Sequence, residues 1–331
     1  MNTIREKVNI CFTTDNNYVR PLSCAITSIL KNSSPETDLR IFILEQDVSY
    51  ENKSKILSLK NIKDCEISFI KIEPSLFCNF PDFKGSYITK TAYFRFLIAD
   101  LLKDTDKVLY LDCDVIVLSE IKKLFMQDIT EFYIGAVEDI GFYFDRMCSF
   151  KSFDTYVNSG VLLINLKKWR QDKISQKLFD VVEQYGDKLV YHDQTAINLV
   201  CKGKIKVFEL SYNLQAFILY KISILLNHPL RKQLLRVIKG PKIVHYTNNR
   251  KPWNTYCPLR KYYLEYEKLT PFSVNYDFKY KLKICIQFAF FLIKNFYYIL
   301  RFVLSPIVKV SRKKSYFEVT ILSYFKLNLF K

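Results

Sequence analysis

Two carboxylates, Asp112 and Asp114, lie two residues apart in the apolar run 107–118, which reads Lys-Val-Leu-Tyr-Leu-Asp-Cys-Asp-Val-Ile-Val-Leu. The run is rich in β-branched and aliphatic residues, which predicts a buried strand of a parallel sheet. Side chains two positions apart lie on one face of a strand, so both carboxylates could bind one hard cation. Because an uncompensated buried carboxylate costs several kcal/mol, a metal site is one explanation. A strand that ends in a solvated turn is the other.

The segments before this run place a second polar group at a strand end. Apolar strand segments alternate with helical segments in the order strand from residue 8, helix 21–29, strand 39–44, helix 51–59 and strand 65–72. This order predicts a mostly parallel sheet with helices on both faces, which binds ligands at the carboxyl ends of its strands. Asp15 and Asn17 follow one such end. A Gly-x-Gly-x-x-Gly or Walker-type loop is missing from the sequence, which disfavours the usual dinucleotide fold and a P-loop.

Six blocks of the sequence, taken in order, resemble glycosyltransferase family 8, which includes bacterial lipooligosaccharide galactosyl- and glucosyltransferases. The blocks are 13–18 (Thr-Thr-Asp-Asn-Asn-Tyr), 91–96 (Thr-Ala-Tyr-Phe-Arg-Phe), 112–114, 158–166 (Asn-Ser-Gly-Val-Leu-Leu-Ile-Asn-Leu), 191–195 (Tyr-His-Asp-Gln-Thr) and 245–253 (His-Tyr-Thr-Asn-Asn-Arg-Lys-Pro-Trp). The resemblance covers roughly residues 8 to 260. It implies an α/β fold, a single GT-A type, Rossmann-like domain with a mostly parallel central sheet over residues 1–270.

The resemblance also implies a divalent cation and a UDP-sugar donor. In glycosyl transfer, negative charge grows on the leaving diphosphate, and a cation that bridges the phosphates absorbs it without proton transfer. Asp112, Asp114 and His245 are the implied protein ligands. A mixed oxygen and imidazole set favours Mn2+, with Mg2+ less favoured. The alternative for His245 is an ordinary packed or surface histidine.

Fifteen residues are assigned to the nucleotide sugar by the same resemblance. They are Thr13, Asp15, Asn17, Tyr18, Arg95, Asp112, Cys113, Asp114, Asn158, Ser159, Gly160, Asp193, Gln194, Asn248 and Lys251. Asp15 and Asn17 would hold the uridine and ribose, and Tyr18 would stack on the base. The alternative is an Asx-rich turn that only caps the following helix.

Arg95 and Lys251 could each bind the donor, or each could have an ordinary structural or solvent-exposed role. Arg95 lies in the helix-like stretch 91–102, where it needs an anionic or carbonyl partner unless it forms only a surface salt bridge. Lys251 could reach the diphosphate as a point charge, or it could be a solvated loop lysine. The family has glycine where Asn248 stands, and asparagine tolerates a left-handed backbone better than most residues.

The implied catalytic residues are Gln194, Asp193 and Arg95, and the family retains the anomeric configuration. Asp193 should bind sugar hydroxyl groups, and the carbonyl oxygen of Gln194 should lie beneath the anomeric carbon. A double displacement needs a nucleophilic carboxylate close to that carbon. Because Gln194 is a poor nucleophile, front-face transfer is favoured over a covalent intermediate. Asp139 is the candidate contact for the acceptor.

Charge is concentrated towards the end of the chain. The net charge is +17, and residues 271–331 hold 11 Lys or Arg against 2 acidic residues. An aromatic segment at 284–304 is interrupted by Lys294 and Arg301, and a basic patch follows at Lys309, Arg312, Lys313 and Lys314. This tail, 271–331, is predicted to be a basic, aromatic, helical membrane-association region that binds an anionic lipid surface. Packing on the core and a spanning helix are the alternatives.

The remaining composition bears on location and partners. Nine cysteines are scattered without Cys-x-x-Cys pairs, which favours a reducing compartment over zinc sites or a disulfide framework. Residues 1–7 lead into the first strand without an apolar segment of signal-peptide length. We therefore expect a cytoplasmic protein attached peripherally to the inner face of the plasma membrane. No recognisable RNA or DNA module supports a nucleic-acid partner.

Three classes of function compete. The first is a metal-dependent, retaining hexosyltransferase that moves galactose or glucose from a UDP-sugar to a lipid-linked or cell-surface oligosaccharide. The second is a metal-dependent sugar-nucleotide hydrolase, which should lack an acceptor groove. The third is a non-catalytic binding protein, which would be expected to have lost at least one of Asp112, Asp114, Asp193 or His245; all four are present.

Overall fold

The computed structural model describes residues 7–81, 90–142, 155–221, 226, 229–304, 308–312, 317–321 and 325–328. The strands are β1 Lys7–Thr14, β2 Asp38–Glu45, β3 Glu66–Lys71, β4 Lys107–Leu111, β5 Val115–Val117, β6 Ile134–Glu138, β7 Val157–Asn165, β8 Ile205–Val207, β9 Leu214–Gln215, β10 Ile243–His245, β11 Val308–Arg312, β12 Phe317–Ile321 and β13 Phe325–Asn328. The helices are α1 Val19–Asn32, α2 Tyr50–Leu57, α3 Ile98–Leu101, α4 Lys122–Phe125, α5 Leu166–Gln171, α6 Ile174–Tyr185, α7 His192–Val200, α8 Phe217–Tyr220, α9 Arg231–Val237, α10 Arg260–Glu267 and α11 Phe278–Leu304.

The central sheet has seven strands in the order β3-β2-β1-β4-β7-β6-β8. The pairs β1–β2, β2–β3, β1–β4 and β6–β8 are parallel, and β7 runs antiparallel to both β4 and β6. The predicted βαβαβ order and the mostly parallel sheet are therefore confirmed. The carboxyl ends of β1 and β4 lie side by side with the start of β7 at one edge, where three of the resembling blocks begin or end.

Apolar side chains from the two faces of this sheet form separate clusters. Along β1, Ile10 and Phe12 point to the face that α1 covers, and Cys11 points to the other. Helices α5, α6 and α7 cover that second face, where Trp169 is almost fully buried. Burial on both faces explains why the strands are continuous apolar runs.

The expected strand across 107–118 is two strands. Strand β4 ends at Leu111, a turn holds Asp112 to Asp114, and β5 joins a separate three-stranded sheet in the order β5-β10-β9. The expectation that alternation along one strand puts both carboxylates on one face was therefore wrong. They converge because the chain leaves one sheet for another between them, while the backbone of Asp112 still donates to Gly160 O at 2.9 Å.

The C-terminal segment begins with the predicted helix, α11, and continues into strands β11, β12 and β13, which form an antiparallel sheet that the sequence did not predict. One face of α11 packs on the preceding residues: Gln287 accepts hydrogen bonds from Thr255 and Tyr256, and Phe291 lies 5.4 Å from the Tyr256 ring. Among the described residues, a helix of the length and apolar content needed to cross a bilayer is absent. Two residues of the predicted basic patch, Lys313 and Lys314, lie outside the described residues.

Candidate active site and metal centre

A cavity of about 530 Å³ opens at the edge where β1 and β4 end and β7 begins. Most of the residues that the sequence assigned to the site line it. They are Thr13, Tyr18, Arg95, Asp112, Cys113, Asp114, Asp139, Asn158, Ser159, Asp193, Gln194, His245, Asn248 and Lys251. Asp15 and Asn17 line a neighbouring cavity of about 340 Å³ instead.

The three predicted metal ligands lie together. One ligand atom from each of Asp112, Asp114 and His245 lies within 4.8 Å of the other two. His245 Nε2 is 3.2 Å from Asp114 Oδ1 and 3.6 Å from Asp112 Oδ2. Strand β10 brings the histidine there because it pairs antiparallel with β5, which places His245 opposite Val115. His245 is not a surface histidine, since its ring is buried against two carboxylates, and its role as a metal ligand stays a prediction.

Asp112 is held by one of its two oxygens. Arg95 Nη2 donates to Oδ1 at 3.0 Å, and the Tyr110 hydroxyl donates to the same oxygen at 2.7 Å. The Arg95 guanidinium also lies 4.3 Å from the centre of the Tyr110 ring. With Oδ1 engaged on the protein side, Oδ2 is the oxygen that faces His245. The carboxylate is thus oriented to offer one oxygen to a cation.

Asp114 forms an ion pair with Lys251, whose Nζ also donates to Tyr246 O at 2.9 Å. Burial alone would raise the pKa of Asp114, but the charge of Lys251 beside it outweighs burial, and that pKa lies well below its usual range. Lys251 is only 6% exposed. The alternative of a solvated loop lysine is therefore wrong: this cation is aimed into the cavity.

Arg95 is 4% exposed and lies between two carboxylates, so it is not a surface salt bridge. Besides Asp112, its guanidinium contacts Asp193 Oδ2 at 3.3 Å and donates to Ser159 O at 2.8 Å. Burial raises the pKa of Asp193 to about 6, although Arg95 acts in the opposite direction. The Ser159 hydroxyl donates to Asp193 at 3.2 Å. In this arrangement Arg95 orients protein carboxylates rather than standing free in the cavity.

A chain of side-chain amides forms the floor of the cavity. Gln194 Oε1 accepts hydrogen bonds from the Ser159 backbone at 3.1 Å and from Asn158 Nδ2 at 3.0 Å. Gln194 Nε2 donates to Asp139 Oδ2 at 2.9 Å, and the other oxygen of Asp139 accepts from the Gly141 backbone at 2.8 Å. Asp139, the candidate acceptor contact, therefore fixes the Gln194 amide as well as lining the cavity.

Two backbone positions suit the site for steric reasons. A Cβ at Gly160 would lie 2.2 Å from His245 Cε1 and 2.6 Å from Asp112 Oδ2, so only glycine allows these two side chains to approach here. Asn248 has φ +70°, in the left-handed region that asparagine tolerates. Asn248 thus has a backbone conformation that glycine would also adopt, and its contact with the phosphates stays a prediction.

The turn after β1 has the capping role that was the alternative to nucleotide binding. Asp15 Oδ1 accepts from the backbone N–H groups of Asn17 and Tyr18 at 2.9 and 3.1 Å. Tyr18 lies edge-on to Trp253 with ring centroids 5.9 Å apart. Capping does not exclude a ligand contact, because these residues line cavities on both sides of the turn. Uridine binding by Asp15 and Asn17 stays a prediction.

Sequence reasoning missed several residues of the site. Tyr110 could have been found, since it lies two positions before Asp112, and the backbone bond of Asp112 to Gly160 continues the alternation of β4 by one residue. Asn213, which contacts His245, had no signal because the pair is 32 residues apart in the chain. Gln215, Phe217, Lys221 and Thr247 also line the cavity.

Comparisons with known proteins point to one family. The model of the family described as glycosyl transferase family 8 matches residues 9–257. General stress protein A of Bacillus subtilis (strain 168) is 31% identical over 279 residues, which cover 81% of this chain and 96% of that protein. The lipopolysaccharide 1,3-galactosyltransferase of Salmonella typhimurium is 26% identical over 280 residues, 81% of this chain and 80% of that protein. The solved structure of galactosyltransferase LgtC with donor and acceptor sugar analogs has a TM-score of 0.70 at 27% identity, covering 83% of this chain and 100% of that one.

Proposed function

Because this chain belongs to glycosyltransferase family 8 and has a GT-A type α/β fold, we propose that it is a retaining hexosyltransferase. Its donor is a UDP-sugar carrying galactose or glucose, and its acceptor is a lipid-linked or cell-surface oligosaccharide. The observation that carries the proposal is the cluster of Asp112, Asp114 and His245 at the cavity, with the Lys251 cation beside it. Together they suit a leaving group that carries two phosphates.

The donor set of the cluster fits a divalent cation. Two carboxylate oxygens and one imidazole nitrogen form a mixed shell that suits Mn2+ better than Mg2+. A cation bound there would absorb the negative charge that grows on the departing diphosphate. Lys251 would add a second positive charge next to the same phosphates, because its side chain is already directed into the cavity beside Asp114.

The buried polar residues would hold the donor sugar. Asp193 would accept hydrogen bonds from sugar hydroxyl groups, and the Gln194 amide would lie beneath the anomeric carbon. Asp193 already accepts from Ser159 and pairs with Arg95, which leaves it poorly placed to act as a nucleophile. This engagement supports front-face transfer, in which a phosphate oxygen takes the acceptor's proton, over a covalent intermediate.

We also propose that α11 attaches the protein to an anionic membrane surface on the cytoplasmic side. Phe278, Leu282, Ile286, Phe290 and Ile293 recur every three or four residues along the helix, and each is at least 48% exposed. They form one stripe on the side away from Phe291, which packs on the body. Exposed lysines flank the stripe at Lys279, Lys283 and Lys294. An apolar face bordered by cations suits the interface of an anionic bilayer.

Release of UDP from a panel of UDP-sugars, with and without Mn2+ and with candidate oligosaccharide acceptors, tests the enzymatic proposal. We expect turnover of UDP-galactose or UDP-glucose that needs the metal and rises when acceptor is added. Asp114→Asn should reduce turnover at least 100-fold, as expected when a metal ligand is lost, whereas Asp104→Asn, at an exposed position, should leave it unchanged.

Other outcomes of this experiment would count for the competing functions. UDP release that no acceptor accelerates would favour a sugar-nucleotide hydrolase. Nucleotide binding without turnover of any donor would favour a non-catalytic binding protein. Full activity of Asp114→Asn would remove the cluster from the reaction.

A further inference from the structure

Asn213 connects the metal cluster to the amide chain on the floor of the cavity. It is fully buried and ends the 3-10 helix Leu210–Asn213, immediately before β9, which pairs with the histidine-bearing strand β10. One end of its side chain lies 3.0 Å from His245 Nδ1. The other end lies 2.9 Å from Asn158 Oδ1. A buried amide with one partner at each end has a fixed position.

Backbone donors determine which way each amide in this chain points. The Gly160 backbone N–H donates to Asn158 at 3.0 Å, so the Asn158 atom there must be the oxygen. The Ser159 backbone N–H donates to Gln194 in the same way, at 3.1 Å. The nitrogen of Asn158 then faces the oxygen of Gln194, as its 3.0 Å contact requires. Two backbone groups that can only donate thus set the orientation of both side chains.

The orientation of Asn213 follows from that of Asn158. Because Asn158 presents its oxygen, Asn213 must present its nitrogen to it, and the oxygen of Asn213 then faces the imidazole of His245. An amide oxygen only accepts, so Nδ1 of His245 must carry a proton. The other ring nitrogen, Nε2, is left to face the carboxylates of Asp112 and Asp114.

We propose that Asn213 is a positioning residue of the metal centre. Its oxygen fixes the ring of His245 with the Nε2 lone pair directed at the cation site, and its nitrogen ties that ring to Asn158 and, through it, to Gln194. Partners of this kind behind a metal-binding histidine set its tautomer and orientation. The inference rests on the proposed function only in placing a cation between His245 and the two aspartates.

Two substitutions of Asn213 separate its hydrogen bond to His245 from its hydrogen bond to Asn158. Asn213→Leu keeps the number and branching of the side-chain heavy atoms and removes both hydrogen bonds. Asn213→Asp keeps an acceptor for His245 but cannot donate to Asn158. Asn165→Ala is the matched control, because Asn165 also uses its side chain for hydrogen bonds but lies at the opposite end of β7 from the site.

The first measurement is Mn2+ affinity of the full chain, determined from the electron paramagnetic resonance signal of free Mn2+ without any sugar nucleotide. We expect Asn213→Leu to bind Mn2+ about 10- to 100-fold more weakly than the unchanged protein. Asn213→Asp should bind within about threefold of it, because the acceptor for His245 remains, and yet show a raised KM for the donor because Asn158 is released. Asn165→Ala should not alter Mn2+ affinity.

The second measurement is the tautomer of His245 in the unchanged protein, from long-range ¹H–¹⁵N NMR spectra. The chain has only three histidines, so comparison with His245→Gln assigns the ring. We expect the proton on Nδ1, and this readout does not depend on whether any Asn213 variant folds. Binding of Mn2+ by a folded Asn213→Leu within twofold of the unchanged protein, or a proton on Nε2 alone, would overturn the inference.

The same experiments keep this inference separate from the proposed function. Neither the Mn2+ affinity nor the NMR spectrum uses a sugar donor, so a protein that meets the expectations for these two measurements but turns over no UDP-sugar refutes the transferase proposal and leaves the role of Asn213 intact. Mn2+ binding that is no tighter in the unchanged protein than in His245→Gln would instead remove the ligand on which the inference rests.

Discussion

At the scale of single residues, Gly160 sets how closely the ligands of the cation site approach each other. A methyl group there would overlap both His245 and Asp112, neither of which can withdraw without leaving the cluster. We expect Gly160→Ala to weaken Mn2+ binding and to lower transferase activity about 100-fold or more, as for loss of a ligand. Gly240→Ala is the control, because nothing lies within 4 Å of its added Cβ. Equal Mn2+ affinity in the two variants would contradict this steric account.

Asp193 makes the stability of the folded protein depend on pH. Its pKa in the folded protein is raised to about 6 by burial, so between pH about 4 and 6 the folded chain keeps a proton that the unfolded chain releases. The stability that comes from this group is therefore lost as pH rises through that window. Asn mimics the protonated form, so Asp193→Asn should gain Tm relative to the unchanged protein between pH 4.5 and 7.5.

Thermal unfolding of both proteins across this pH range is the measurement, with Asp104→Asn as an exposed control. We expect the Tm difference to grow by ~3 °C or more, while transferase activity is lost because the sugar contact is gone. A Tm difference that is the same at both ends of the range would show that burial does not raise the pKa of Asp193.

The residue types of the cation site could be predicted, but the contacts that orient them could not. Asp112, Asp114 and His245 were identified by their resemblance to the blocks of the family, and the structure brings one ligand atom of each within 4.8 Å of the other two. The buried partners, Tyr110 and Asn213, belong to residue types that occur throughout the chain. Their roles depend on which backbone groups lie beside them in the fold, and that information is not local in sequence.

At the scale of elements, the short strand β5 depends on α1 as well as on β10. Ser28 Oγ accepts a hydrogen bond from the backbone N–H of Val117 at 2.9 Å, and both residues are fully buried. We expect Ser28→Ala to lower the free energy of unfolding by about 1–3 kcal/mol, the cost of a buried donor left without its partner. Chemical denaturation measures this loss. A loss of this size would show that α1 stabilises β5 and the turn of Asp112 to Asp114 that precedes it.

The same helix offers a matched control. Ser23 is also fully buried on α1, but its hydroxyl has no hydrogen-bond partner among the described residues. Ser23→Ala should therefore change stability little or increase it slightly, since it removes a polar atom whose burial is not compensated. Equal losses in Ser23→Ala and Ser28→Ala would indicate a packing effect and not the bond to Val117.

Element type was predictable where burial dictates the pattern, and boundaries were not. Strands β1, β2 and β4 are apolar runs because both of their faces are covered, and these strands were predicted, as was β3; strands β6 and β8 were not predicted. The run 107–118 is equally apolar on both sides of its aspartates, since β4 and β5 are both buried, so its composition gives no sign that it changes sheets at Asp112. The chain leaves the central sheet there because β5 pairs with β10, which lies more than 120 residues later in the chain.

At the scale of the whole molecule, the cavity and the apolar stripe of α11 lie on parts of the chain that contact each other. Tyr220 follows Phe217 of the cavity wall on α8, and its ring lies 5.3 Å from that of Phe291 on α11. The opposite face of α11 carries the stripe. Docking by that stripe would therefore put α11 between the lipid surface and α8, the helix that carries Phe217 of the cavity lining.

Binding to lipid vesicles tests this arrangement in the full chain. Phe290 and Ile293 are 66% and 71% exposed at the C-terminal end of the stripe, so replacing both with serine removes apolar area without disturbing the face that packs on the body. We expect the unchanged protein to sediment with phosphatidylcholine vesicles that contain about one third phosphatidylglycerol, and less so in high salt, because flanking lysines contribute by charge.

The double variant should lose most of this binding while keeping UDP release with a soluble acceptor. Serine at Leu76 and Val207, two exposed apolar residues of the body, is the matched control and should not reduce sedimentation. Equal sedimentation of both double variants would assign lipid binding to a surface other than α11.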